Sequence, residues 1–484
     1  MKVCMLKSIE EQIWQQASLH GDKIAVKSGK KSATYQELCD RTLAARDKIL
    51  SVLSPGERVV IAAGKQIEFL YAYFGIHLAG LTAMPIDPAT NPDRLRYIVE
   101  QAHACALIGF GETDLPLLQI PLDLFEDLEK SYQDVSFPEL DAVADILFTT
   151  GTTGRPKGVP LTFANEAAAA RNINAFIGNA PEDVEELALP ISHSFGLGRV
   201  RCCLSNGQTL ILLGGFTNVK KLFRIMEEEN VSGFSMVPAG WRYLQKLSGN
   251  KLGDYAGQLK YIEMGSAYFS AEEKRNLADL LSNTRVCMHY GLTEASRSAF
   301  MEFHADASAL DSVGKASPFT EIAVFDETGK EVAAGAEGEI AVKGEHVTLG
   351  YLGIPNDESF YGDYFRTGDW GYKTPEGYIH LISRKKELIN VGGKKVSPIE
   401  VEEQLMKLPG VEDCACIGVA DKDGVLGEVV KAFIVKSPDA DLTFESLHKQ
   451  MLGKLEPYKL PVEYAWIDAI PKTQNGKILR GELK

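Results

Sequence analysis

A chain of 484 residues is too long for one ordinary hydrophobic core, so two or three domains are expected. Its 45% hydrophobic and 24% charged residues are those of a soluble globular protein, not of a disordered or fibrous one. A formal net charge of -15 excludes a non-specific nucleic-acid binder, whose phosphate backbone would be repelled; a nucleotide substrate needs only local positive charge. The first residues, MKVCMLKSIEEQIWQQ, lack the continuous apolar core of a signal peptide, and no run approaches the ~18 apolar residues of a membrane span. None of the eight cysteines forms a CxxC pair, and no His/Cys cluster has zinc spacing. Cys414 and Cys416, two apart in an apolar segment, face one side of a predicted strand as buried thiols. A reducing, cytoplasmic location is expected.

From about residue 8 to 140, amphipathic helices alternate with short apolar strands. Ser8 caps a helix over 9–18, a strand follows over 24–27, and a long helix over 34–50. Strands over 58–62 and 82–85 flank a helix over 66–78, and Pro92 suits the first turn of a helix over 92–102. This alternation predicts a parallel, doubly wound α/β sheet.

An apolar strand over 144–148 then runs into Thr149-Thr150-Gly151-Thr152-Thr153-Gly154-Arg155-Pro156-Lys157-Gly158. Glycines let the backbone approach a ligand, turn N–H groups point at an anion, and threonine hydroxyls with a lysine add donors. The chemistry is polyphosphate binding. The spacing is not that of a Walker loop, which has four residues between its first glycine and Gly-Lys-Ser/Thr. Its place is where doubly wound sheets bind ligands, the carboxyl end of a strand.

A second α/β stretch covers about 161–283, with helices over 165–176 and 220–229 and strands over 209–213 and 233–237. Within it, His193 follows an apolar strand beside the flexible Gly196, in a position open to a structural or a chemical role. Arg199 and Arg201 follow, either solvated, bound to phosphate, or neutralising a second substrate carboxylate. Phe234, Met236 and Trp241 form either a pocket wall or core. Tyr290-Gly291-Leu292-Thr293-Glu294 joins a ring able to stack on a purine, a hydroxyl donor for phosphate and a carboxylate able to hold Mg²⁺. From 313 to about 382, glycine-rich turns and β-prone runs over 321–325, 338–342 and 378–382 imply a small β region. There, Asp369 ends Phe365-Arg366-Thr367-Gly368-Asp369, fit to accept two ribose hydroxyls or to form an Asx turn. The charge run 383–387 marks a boundary near Lys386, beyond which about a hundred residues show a βαβ-like rhythm. Lys477 closes Pro471-Lys472-Thr473-Gln474-Asn475-Gly476-Lys477 on a tight turn.

Together with the early Thr34-Tyr35-Gln36-Glu37-Leu38, Ala79-Gly80 to Asp87-Pro88, Gly344 to Gly350-Tyr351, and Arg384, these motifs occur in one order over essentially the whole chain. In that order the sequence resembles the acyl-adenylate-forming superfamily of acyl- and aryl-CoA ligases, stand-alone adenylation domains and beetle luciferases. The resemblance implies an α/β fold: an N-terminal domain over 1–384, of doubly wound subdomains plus a small β region, and a mobile α+β C-terminal domain over 385–484. It implies a two-step reaction. A carboxylate attacks the α-phosphorus of ATP to give acyl-AMP and pyrophosphate, then a thiol takes the acyl group and releases AMP.

Carried over residue by residue, Thr149, Thr150, Gly151, Thr152, Thr153, Gly154 and Lys157 form the loop over the β- and γ-phosphates. Thr293 contacts the α-phosphate and Glu294 the Mg²⁺, while Gly265, Ser266, Ala267, Tyr290 and Gly291 surround the adenine. Asp369 and Arg384 bind the ribose. Lys477 bridges the attacking carboxylate and α-phosphate, and His193 lies between acyl group and nucleotide. Lys386 is the hinge, and Gly392 and Gly393 face the pantetheine channel. Thr150 stands where serine is commoner, which keeps the hydroxyl, and Ser383 stands where glycine or aspartate is usual before the arginine.

Amino-acid-activating domains carry an aspartate near the acyl pocket. The stretch His193 to Gly198 has no acid, which implies an aryl, fatty or other acid without an α-ammonium group. The expected acceptor is coenzyme A. The alternative is the phosphopantetheine of a separate acyl carrier protein, since no carrier domain follows Lys477 in this sequence. A nucleotide-binding module without catalysis is the reading from another class, set against the presence of Glu294, Asp369 and Lys477.

Overall fold

The structure, a computed structural model, describes residues 6–129, 131, 134–149, 156–438, 440–472 and 478–483. Several of its helices begin where short polar side chains close their free N–H groups. Ser8 accepts from Glu11 N ahead of Ile9–His20, and Asn91 accepts from Arg94 N ahead of Pro92–Ala102. Thr34 and Glu37 form a reciprocal capping box at the start of Tyr35–Leu50, as Thr162 and Asn165 do for Phe163–Ile177.

The chain divides into two compact units, residues 1–321 with 342–365, and residues 322–341 with 366–484. The first unit holds two α/β sheets. One has six strands in the order Leu118–Ile120, Ala106–Ile108, Arg58–Ala62, Thr82–Ile86, Val143–Thr149, Lys157–Thr162. All its neighbours are parallel except the last two, which form an antiparallel hairpin. The other has nine strands, and its parallel centre runs Arg285–Tyr290, Tyr261–Met264, Gly233–Met236, Val184–Leu187, Thr209–Leu212, Ile24–Ser28. Helix Ile67–Leu78, apolar apart from Glu68 and His77, buries all 12 of its residues, as a helix wrapped by core must.

One expectation is corrected. The strand expected over 24–27 does not join the sheet of the first 140 residues. Ile24–Ser28 pairs in parallel with Thr209–Leu212, Val26 opposite Leu210, and Thr209 Oγ1 donates to Ile24 O at 2.7 Å. Tyr35, buried at the head of the next helix, donates to Gln208 O at 2.7 Å and ties the same corner. Phe234, Met236 and Trp241 are buried core around the second sheet.

Among the acids buried at this sheet, one is set among apolar neighbours. Glu186 lies in register between Ile211 and Phe234 on the two neighbouring strands, fully buried, and neither carboxylate oxygen has a hydrogen-bond partner. Burial pushes its pKa from an ordinary 4.5 up to about 9, against the pull of Lys221. The native state therefore keeps a proton that the unfolded chain loses above its own pKa. Stability falls as pH rises from about 4.5 to about 9 and levels off beyond. Glu186→Gln keeps the shape and removes the titration. The variant is expected to gain on the wild type by several kcal/mol between pH 5 and pH 9, since a tenfold change in proton affinity is worth about 1.4 kcal/mol. Melting temperatures across that range check it, and parallel curves for the two proteins would refute it.

A five-stranded sheet, with Glu321–Phe325, Gly338–Lys343, Tyr364–Lys373, Phe360–Tyr361 in order and Ile379–Arg384 also on the third, forms the β region. The second unit continues through the hairpin Ile389–Val391 and Lys394–Val396, helix Pro398–Met406, the sheet Val411–Ala420, Glu428–Lys436, Glu463–Trp466, and helix Phe444–Met451. Cys414 and Cys416 are both buried in its core with Val401, Leu405 and Val430, and burial raises both thiols. The seven described cysteines are free thiols. Among the described residues, no helix is long and apolar enough to cross a membrane.

Candidate active site

The glycine-threonine loop joins the two strands of the antiparallel hairpin, and its described ends, Thr149 and Lys157, stand opposite each other. Thr150, Gly151, Thr152, Thr153 and Gly154 lie outside the described residues, as does Lys477. Lys157 Nζ sits 4.6 Å from the centre of the Tyr351 ring, an arrangement that holds an ammonium by the ring's negative face. The Tyr351 hydroxyl donates to Glu294 Oε1 at 2.7 Å, and the Glu294 carbonyl accepts from Thr348 N at 2.8 Å. Lys157, Tyr351 and Glu294 therefore form one cluster from three distant stretches of chain. The sequence motifs assign Tyr351 no role. Its one signal there is its place at the end of the stretch that begins at Gly344.

Gly265, at the end of strand Tyr261–Met264, and Tyr290, at the end of Arg285–Tyr290, lie at the carboxyl ends of adjacent parallel strands, where α/β sheets take ligands. A Cβ on Gly265 would stand 2.1 Å from the His289 ring, so this close approach admits only glycine. Ser266 turns there with φ +72, and Ala267 follows in the same turn. Gly291 leads from Tyr290 into Thr293, which lines a cleft with Ser194 and Ser296. His193 is exposed, in extended conformation, immediately before helix Ser194–Ser205, and its carbonyl accepts from Leu197 N at 3.0 Å.

Both arginines after His193 are buried and committed. Arg199 pairs with Glu185 through Nε at 2.8 Å and also through Nη2, and with Glu263 at 3.3 Å. Glu263 takes His289 Nδ1 at 2.6 Å and Arg297 at 3.1 Å. Arg297 in turn donates to the carbonyls of Ser194 at 3.0 Å and Phe195 at 2.9 Å, tying the turn after His193 to the strand that ends at Gly265. Burial works against the charge on Glu263, and Arg297, His289 and Arg199 outweigh it to hold its carboxyl far below the usual range. Arg201 bonds Tyr73, Asp145 and, at 2.8 Å, Glu166. Neither arginine is solvated, and each has its charge met by carboxyls of this chain. Sequence patterning misses both clusters because every partner sits on another element.

In the second unit, Asp369 and Arg384 face each other in register on neighbouring strands and form an ion pair at 2.8 Å. Arg384 also donates to Thr367 O at 3.1 Å. Lys386 is exposed in the turn that follows, and its neighbour Lys385 is held by Glu339 at 2.8 Å. Gly392 and Gly393, with φ +58 and +81, make the two-residue turn of the hairpin Ile389–Val391 and Lys394–Val396, a conformation that by itself requires glycine.

Among the described residues no three His, Cys, Asp or Glu side chains converge as a ready metal cage. Glu294 offers a single carboxylate with one oxygen engaged by Tyr351. That donor set fits Mg²⁺, which takes one or two carboxylates and fills its octahedron with substrate phosphates and water.

A family model described as AMP-binding enzyme matches residues 13–352, and a second, AMP-binding enzyme C-terminal domain, matches residues 400–477. The chain belongs to the AMP-binding enzyme family. Among curated AMP-binding enzymes it is similar to a feruloyl-CoA synthase of an Amycolatopsis species, 29% identical over 95% of each chain. Among solved structures it is similar to ATP-bound MatB from Rhodopseudomonas palustris, 26% identical with TM-score 0.89, covering 99% of this chain and 98% of that one. It is also similar to the o-succinylbenzoate coenzyme A synthetase of Bacillus subtilis solved with ATP and a magnesium ion, 25% identical with TM-score 0.87, over 98% of both chains. These AMP-binding enzymes share the large N-terminal part and smaller C-terminal part expected from the sequence.

Proposed function

We propose that the protein activates a carboxylic acid with ATP to an acyl-adenylate and transfers the acyl group to the thiol of coenzyme A, releasing AMP and pyrophosphate. The observation that carries this is the Lys157–Tyr351–Glu294 cluster at the foot of the threonine-rich loop, within a chain similar along its length to CoA ligases. A carboxylate is a poor acyl donor until its oxygen becomes a good leaving group. Making it one is a matter of positioning and charge neutralisation, which suits threonines, a lysine and a metal rather than a protein nucleophile.

In this reading Thr149, Thr150, Gly151, Thr152, Thr153, Gly154 and Lys157 hold the β- and γ-phosphates and Thr293 the α-phosphate. Glu294 and the phosphate oxygens hold Mg²⁺, which supplies charge neutralisation. Gly265, Ser266, Ala267, Tyr290 and Gly291 frame the adenine. The Asp369–Arg384 pair takes the ribose, Asp369 accepting both hydroxyls. His193 borders the acyl group, and Lys477 stabilises charge where carboxylate meets α-phosphate. Residues 385–484 act as the mobile domain, pivoting at Lys386, with Gly392 and Gly393 along the pantetheine channel. A cytoplasmic setting, where coenzyme A and ATP are at hand, fits the free thiols.

Carboxylate-dependent exchange of pyrophosphate into ATP, run over aryl, fatty, hydroxy and dicarboxylic acids, tests the first step. Thioester formation with free coenzyme A tests the second. Exchange with at least one acid and acyl-CoA as product are expected. No exchange with any acid would sink the reading, and exchange without acyl-CoA would move the acceptor to a carrier protein.

A further inference from the structure

Residues 291–298 join the antiparallel strands Arg285–Tyr290 and Ala299–Glu302, and this connection carries Thr293 and Glu294. It also carries Arg297, whose backbone is left-handed at φ +55 and which is 2% exposed. A bulky residue keeps such a backbone only where its surroundings hold it there. The guanidinium supplies the hold. Nε donates to Glu263 Oε1 at 3.1 Å, and Nη1 to Ser194 O at 3.0 Å and Ser296 Oγ at 3.1 Å. Nη2 donates to Phe195 O at 2.9 Å, and the guanidinium carbon stands 4.8 Å from the centre of the Phe195 ring.

Two glycines make room for this residue. A Cβ on Gly198, in helix Ser194–Ser205, would stand 2.5 Å from Arg297 Nη1, and the three atoms nearest to it all belong to the guanidinium. A Cβ on Gly291 would stand 2.4 Å from the Arg297 backbone nitrogen. Gly198 is an ordinary helical position, so the approach of Arg297 is what calls for glycine there.

These contacts join stretches of chain that the ligase reading assigns to different parts of the reactants. Glu263 lies two residues before Gly265, at the adenine. Ser194 and Phe195 follow His193, at the acyl group. Thr293, at the α-phosphate, shares the connection with Arg297 itself. A planar fork on two successive carbonyls fixes both the distance and the tilt of the turn after His193, which a single point charge does not. Arg199, in the same buried network, instead spends its hydrogen bonds on Glu185 and Cys203 and its charge on Glu185 and Glu263.

We propose that Arg297 is a positioning residue of the first half-reaction, holding the turn after His193 against the adenine-bearing strand end so that the carboxylate meets the α-phosphorus in line. The proposal rests on the ligase reading and adds a residue to it. In the first step two separate reactants must be aligned, and a small misplacement is costly. In the second step acyl group and AMP are already one molecule, and their mutual alignment no longer depends on the protein.

Gly198→Ala is the sharpest test, run with the acid that gives the fastest pyrophosphate exchange. Alanine suits a helix better than glycine, and its methyl displaces only the flexible end of Arg297, so the fold is expected to stand. Arg297→Lys keeps the charge beside Glu263 and loses the fork. In both variants kcat for exchange is expected to fall by about tenfold to a hundredfold, while the Kd for ATP and thioester formation from supplied acyl-AMP stay within about threefold. In an Arg297→Ala background, Gly198→Ala is expected to cost no more than about twofold, because the group it displaces is gone. Arg199→Met combined with Glu185→Gln alters the same network away from the turn, and its kcat is expected to stay within about threefold of the wild type.

A Gly198→Ala protein as fast as the wild type, equal loss in both half-reactions, or an undiminished cost of Gly198→Ala in the Arg297→Ala background would each overturn the assignment. So would an equal fall of kcat in the Arg199→Met, Glu185→Gln pair. If the Arg297 variants fail to fold, Gly198→Ala still decides through the split between the half-reactions. Exchange with no acid in the wild type would fail the ligase reading and this assignment together; an active wild type beside an equally active Gly198→Ala would fail this assignment alone.

Discussion

Lys477→Ala is expected to abolish adenylation, with kcat for pyrophosphate exchange down by about a thousandfold or more, while thioester formation from supplied acyl-AMP stays within a few fold. The asymmetry follows from where charge develops. In the first step a carboxylate and an α-phosphate, both anionic, must meet, and one ammonium placed between them is worth about 4 kcal/mol in a preorganised site. In the second step a thiol meets the acyl carbon of the mixed anhydride, whose single phosphate charge stays on the departing AMP, and no carboxylate has to approach a phosphorus. In the proposed mechanism the C-terminal domain that carries Lys477 then turns another face to the site. Rates of the two half-reactions, measured separately on the purified variant, decide the matter. Equal loss of both would contradict a domain that presents different residues in each step.

Arg199→Met is expected to destabilise the fold by about 3–5 kcal/mol. The guanidinium is fully buried between Glu185 and Glu263. Removing it leaves Glu185 to neutral donors, among them the hydroxyls of Tyr261, at 2.6 Å, and Ser235, at 3.2 Å, and leaves Glu263 to Arg297 and His289. Adding Glu185→Gln should recover much of the loss, because the unpaired charge and not the missing side chain carries most of the cost. Denaturant unfolding of the single and double variants checks this. A loss under about 1 kcal/mol in Arg199→Met would mean that water or relaxation reaches the site.

Which parts of the fold are legible in the sequence depends on how far away the deciding contact lies. Helix 92–102 can be bounded to the residue because Asn91 and Pro92 spell its start, and their hydrogen bonds are local. Strands 58–62 and 321–325 are equally plain as short apolar runs between turns. Ile24–Ser28 is recognisable as a strand but not assignable to its sheet, because its partner lies beyond an entire second sheet in sequence.

The site shows the same split. Glycine-rich turns at strand ends mark where ligands approach, so Gly265, Tyr290 and Asp369 stand out by local chemistry and motif order. Tyr351 has no such mark; its meaning comes from reaching Glu294 and Lys157 at once. Arg199 and Arg201 look like surface residues in a helix, and nothing nearby in sequence announces that Asp145, Glu166, Glu185 and Glu263 converge on them.

The pairing of Val26 with Leu210 also sets a timetable for synthesis. Some 180 residues separate the two, so at about 5–20 residues per second the ribosome delivers the partner strand roughly 10–40 s after the first one emerges. For that interval Ile24–Ser28 and its antiparallel neighbour Lys31–Thr34 form a lone hairpin, which in water is marginal, with one edge open to any other nascent chain. The six-stranded sheet, complete by residue 162, can meanwhile fold behind it. The exposed edge thus places this protein's window for misassembly early in translation, and closes it when residues 209–212 arrive.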